Sequence, residues 1–148
     1  MGKPLIIMFS LYFISNVQFA EHEIIVTLEN KNIVTLSKTH KLYEYYIKLI
    51  DRALSRKHPI GILLSKDNKI IEVRQSDNDI VENIIRDKKA IKIYFMGHDG
   101  IFSLDFDHPH FKALYAKLNK SKTNSQRVWF IEQFPDLKIL DVILDEKK

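Results

Sequence analysis

Residues 33–50 read IVTLSKTHKLYEYYIKLI, and residues 101–118 read IFSLDFDHPHFKALYAKL. Laid over each other, Ile33-Val34-Thr35-Leu36 falls on Ile101-Phe102-Ser103-Leu104 and Thr39-His40 on Asp107-His108. Tyr43, Tyr46, Ile47 and Ile50 then fall on Phe111, Leu114, Tyr115 and Leu118. Working outward, Ile60-Gly61-Ile62-Leu63 meets Val128-Trp129-Phe130-Ile131, and after a one-residue slip Ile71-Glu72-Val73 meets Leu140-Asp141-Val142. The pattern of residues 24–73 therefore recurs over 92–142. Two copies point to two like units packed together; a solenoid needs at least three.

The first copy reads as strand-strand-helix-strand-strand. Ile24, Val26 and Leu28 alternate along a strand, Glu29 to Asn32 form a polar turn, and Ile33 to Leu36 return. Thr39 is placed to cap an amphipathic helix over about 40–56, which His58-Pro59 ends because the residue before proline avoids helical geometry. A second hairpin follows, Ile60 to Ser65 and Lys69 to Arg74. Ile80, Val81, Ile84 and Ile85 are spaced for a short helix over 78–86, a bridge between the copies. The second copy runs from Ala90 to Met96, through the turn Gly97-His98-Asp99-Gly100, to Ile101–Leu104. A helix over about 108–120 capped by Asp107 comes next, then strands Arg127 to Glu132 and Leu137 to Leu144. The expected architecture is α+β: a tandem strand-strand-helix-strand-strand repeat, copies about 23–75 and 90–144, forming one pseudo-twofold domain. Antiparallel sheet or sheets would carry the helices on a face.

Residues 1–20 stand apart in composition. Lys3 is their only charge, Leu5 to Ile14 are almost unbroken apolar, and Ala20 is small, the layout of a secretory signal peptide. The run is short for a membrane span, which takes about 20 residues. Gln18 departs from the small-x-small pattern of a cleavage site. Export to the periplasm or outside the cell is expected, with 21–148 as the mature single domain; an uncleaved anchor and a cytosolic protein with an apolar first element are the alternatives. The chain has no cysteine, which excludes disulfides, thiol nucleophiles and thiolate metal sites. Without residues 1–20 it holds 22 basic against 19 acidic residues, a mild positive bias.

No catalytic motif is present: no G-x-S-x-G elbow, no Gly-rich phosphate loop, no H-E-x-x-H. His98, Asp99, Asp105, Asp107, His108 and His110 form the densest group of imidazole and carboxylate, the ligands of Zn, Mn or Fe sites. The turn pair His98-Asp99 falls at the opposite end of a strand from the others, about 13–17 Å away at strand rise. The compact set Asp105, Asp107, His108 and His110 is thus the candidate metal site of an alternative reading, a metal-dependent hydrolase. Capping and turn chemistry explain most of the same residues. Tyr45, Lys48 and Arg52 place an aromatic among cations on the polar side of the first helix, and Trp129 alternates against Val128 and Phe130, though its match to Gly61 in the first copy fits interlocking core packing equally well. These four are the candidate binding residues. The expectation is a non-catalytic binding protein that needs no cofactor and engages a protein or an anionic envelope component. Nucleic acid is a poor fit, because helix-end cations complement the helix dipole and export removes most such ligands.

Overall fold

The computed structural model describes residues 9–146; Lys3 and the apolar run from Leu5 to Met8 lie outside them. The described chain is mixed α+β, with eleven strands and two helices. It divides into two compact units, Met1–Ser76 and Asp77–Lys148.

The first unit comprises β1 (Ser10–Tyr12), β2 (Ile14–Phe19), β3 (Glu23–Leu28), β4 (Ile33–Ser37), α1 (Tyr43–Arg56), β5 (Ile60–Leu64) and β6 (Ile70–Gln75). Residues 10–12 and 14–19, in the second half of the segment with leader character, are thus strands here, with Leu11 and Ile14 buried. The strands form two antiparallel sheets, β1-β5-β6 and β2-β3-β4, touching through a parallel bridge between Thr35 and Lys69. Period-two alternation buries Ile24, Val26, Leu28, Val34 and Leu36 on one face. Helix α1 lays Tyr46, Leu49, Ile50 and Ala53 into the same aliphatic core. It ends where Lys57 turns left-handed, returns its N–H to the carbonyls of Ala53 and Leu54, and leads into Pro59.

The second unit comprises β7 (Asp77–Arg86), β8 (Ala90–Phe95), β9 (Ile101–Asp105), α2 (Phe111–Asn124), β10 (Arg127–Gln133) and β11 (Lys138–Leu144). Its strands close into a barrel in the order β10-β11-β9-β8-β7. Closure depends on β7 serving two partners in turn: Asp77 to Ile80 pair with β10, and Val81 to Arg86 pair with β8. The parallel seam between β11 and β9 is short, at Lys138 and Ser103. Phe95, Phe102 and Phe130 fill the interior, with Phe95 and Phe130 stacked at 4.2 Å and Phe102 edge-on to both.

Residues 78–86 are strand, not helix. A bulge between Val81 and Asn83 shifts the alternation by one residue, so that Asp79 and Val81 face inward before it and Ile84 after it. In sequence, that slip imitates a helical spacing. The β-branched run Ile80-Val81 and Ile84-Ile85 favours the extended state that pairing provides. No helix among the described residues is long and apolar enough to cross a membrane.

Candidate functional sites

Three groups of polar side chains stand out, and each is placed by the local fold. The first lies where β7 changes partners. Asp79 is 5 % exposed. Its Oδ1 accepts the N–H of Ile80 at 2.7 Å, and its Oδ2 accepts the N–H of Gly97 at 2.8 Å and meets His98 Nδ1 at 2.5 Å. Burial pushes this carboxyl up, but the hydrogen bonds from His98, Ile80 and Gly97 outweigh it and hold the acid below its ordinary value. A Cβ on Gly97 would lie 3.0 Å from Asp79 Oδ2, so only glycine lets the carboxylate reach that N–H without displacement. His98 stands edge-on to Phe95, Phe102 and Phe130, and its Nε2 lies 4.0 Å from Asp77 Oδ1. Nearby, the N–H of Val81, beside the bulge, donates to buried Ser121 Oγ at 2.9 Å, and that hydroxyl donates to the Gln126 carbonyl. Asp79 and Ser121 together take up backbone donors at the bend of β7. Sequence spacing hides the arrangement, because Asp79 falls in a segment spaced as a helix and His98 in a turn.

The second group is the set Asp105, Asp107, His108 and His110. Asp105 ion-pairs with Lys138 at 3.1 Å. His108 Nε2 meets the Leu140 carbonyl at 3.0 Å, while its Nδ1 accepts the N–H of His110. An acceptor role for Nδ1 puts the proton on Nε2, which then donates to Leu140, so both ring nitrogens are engaged. His40 does the same in the first unit, with Ile71 O at 2.9 Å and the N–H of Leu42. Each histidine therefore pins a helix start to a strand. Neither Thr39 nor Asp107 caps: the N-cap positions are Leu42 and His110, without side-chain capping bonds, and Thr39 Oγ1 pairs with Ser37 Oγ. Both helices begin three residues later than their periodicity suggests, because the histidine turn occupies the preceding residues. No three His, Cys, Asp or Glu side chains among the described residues are grouped as a metal ion would require. The fold does not bring the four together as ligands.

The third group lies on α1. Tyr45 is 56 % exposed, and Lys48 and Arg52 are exposed on the same stripe, three and seven residues on. Arg56 extends it by one more turn. None of these three cations makes an ion pair among the described residues. Arg52 and Arg56 border a small cavity at the end of α1. Trp129 does not share this exposure. It is 6 % exposed and belongs to a run of four buried residues, Val128 to Ile131. Alternation predicts two of them outward; an unbroken apolar run instead marks a strand buried on both faces.

No protein-family model matches the chain, and neither the curated proteins nor the solved structures contain a match to it.

Proposed function

We propose that the chain is a non-catalytic binding protein whose first unit engages an anionic envelope surface through the Tyr45, Lys48, Arg52 stripe of α1. One observation carries this reading: an exposed aromatic shares a helix stripe with cations that have no counter-ion among the described residues. Charge distribution agrees with it. Residues 1–76 hold 11 basic against 7 acidic residues, whereas 77–148 hold 12 of each, so the net +4 belongs to the first unit. Aromatic and arginine side chains are the residues that most often anchor an interface.

We also read the two units as a tandem duplication, supported by pairing details that the sequence pattern does not contain. Bulges fall between Ile14 and Asn16 and between Val81 and Asn83, and again between Leu63 and Leu64 and between Ile131 and Glu132. The parallel contact Thr35 to Lys69 has its like in Ser103 to Lys138. Left-handed Lys57 and Asn68 have theirs in Ser125 and Leu137. The second unit's order, a three-strand meander, a helix and a hairpin closed into five strands, is that of the oligonucleotide- and oligosaccharide-binding barrels, a class built as binding platforms. Fold alone names no ligand, so the partner's chemistry comes from α1. Export remains part of the proposal. Cleavage after Ala20 would remove β1 and β2 from the first unit, so the N-terminal mass of the cellular protein decides it.

The test is co-sedimentation with vesicles of phosphatidylglycerol and of phosphatidylcholine. The reading expects recovery with the anionic vesicles only, reduced about tenfold or more in the Tyr45→Ala, Lys48→Gln, Arg52→Gln variant. Equal recovery with both lipids, or an unaltered variant, overturns it.

A further inference from the structure

The geometry points to an oxyanion site at the C-terminal end of α1, with Arg52 and Arg56 binding one phosphate group between them. It rests on reading the first unit as the anion-binding part of the chain and names the chemical group that is recognised. The two guanidinium groups stand four residues apart on one helix face, where like charges repel. Both line the same cavity, with His58 beside them and an apolar floor of Leu49, Pro59 and Ile60. Helix-dipole attraction accounts for cations in a last turn. It gives no reason for two of them to border one apolar-floored recess whose lining holds no acidic residue. In such a recess, water is partly excluded and a charge-assisted hydrogen bond is stronger than on open surface. The guanidinium fork matches phosphate oxygens in pairs, which a lysine cannot do. The cavity, about 40 Å³, has room for a few waters or one small oxyanion. What enters is a phosphate group, either free or presented by a lipid headgroup.

The experiment titrates inorganic phosphate into the full chain at constant ionic strength, following arginine Nε–Hε and backbone amide resonances. Saturable shifts are expected at Arg52, Arg56 and the amides of Gln75 and Ser76, and are expected to vanish in Arg52→Gln, Arg56→Gln. Backbone spectra of that variant check that it is folded, and Arg56→Gln alone, which leaves Tyr45, Lys48 and Arg52 in place, should weaken saturation at least fivefold. Linear shifts spread over all lysines and arginines, or saturation that survives the double substitution, overturn the site. Excess phosphate added to vesicle-bound protein separates the sources: release marks a headgroup as the ligand, and retention marks free phosphate. Tyr45→Ala, Lys48→Gln should lose vesicles yet keep phosphate saturation. Vesicle binding by a chain that shows no saturable phosphate shift would sink the pocket and leave the stripe standing. Phosphate saturation in a chain that never binds vesicles would do the reverse.

Discussion

The two units use matching strand registers but settle one problem differently. In the first unit the strand is interrupted at Phe13, and β1 and β2 join separate sheets. In the second, β7 runs unbroken past the same point and the barrel closes. Under the proposed duplication Tyr12 stands where Asp79 does, and Ala53 where Ser121 does. Asp79 and Ser121 supply acceptors for the N–H groups of Ile80, Gly97 and Val81 at the bend. The interior follows the same division: Leu28, Val34 and Ile62 in the first unit, Phe95, Phe102 and Phe130 in the second. The comparison teaches that buried polar side chains belong to the unit whose strand must bend without breaking, and the free charge to the other.

The strongest way to break the comparison is Asp79→Ala, which strips three donors of their acceptor. It should cost about 3 kcal/mol, since bonds to a charged group are worth about 1.5–3 kcal/mol each and are not additive. Hydrogen exchange should rise along β7 and leave β3 and β4 unchanged. Uniform loss of protection in both units would contradict the assignment. Acid sharpens the same point. Because the folded Asp79 carboxyl lies below its ordinary value, its contribution is fully present above that value and is lost as the pH falls through the folded one. The second unit should therefore weaken below about pH 4, and Asp79→Asn should flatten that dependence in a melting series.

Ser121→Ala should cost about 1–2 kcal/mol by leaving the Val81 N–H buried and unpaired. A smaller effect, about 1 kcal/mol each, is expected for His40→Ala and His108→Ala, which release a helix start from β6 or β11. Long-range proton–nitrogen spectra should show both rings as Nε2–H tautomers; an Nδ1–H ring at either position would contradict the pinning role.

Helices and hairpins were legible because amphipathic period and turn residues act locally: the pairs β3–β4, β5–β6, β8–β9 and β10–β11 lie where alternation places them, and α1 and α2 follow their period apart from their first turns. Barrel closure was not. It depends on β7, where one bulge converts a strand period into a helical one, and on β1 and β2, whose apolar composition is also that of a leader. The Asp79–His98 contact spans 19 residues and joins two groups that each have a local explanation. On α1, exposure of Tyr45, Lys48 and Arg52 follows directly from helical spacing. Burial of Trp129 does not, because β10 carries apolar residues on both faces.

The most direct test of the α1 assignment is a residue-resolved hydrogen-exchange map of the chain with and without phosphatidylglycerol vesicles. The account predicts new protection or perturbation centred on Tyr45 to Arg56, with β7 to β11 unchanged. Perturbation centred on the second unit, or none in either, would contradict it.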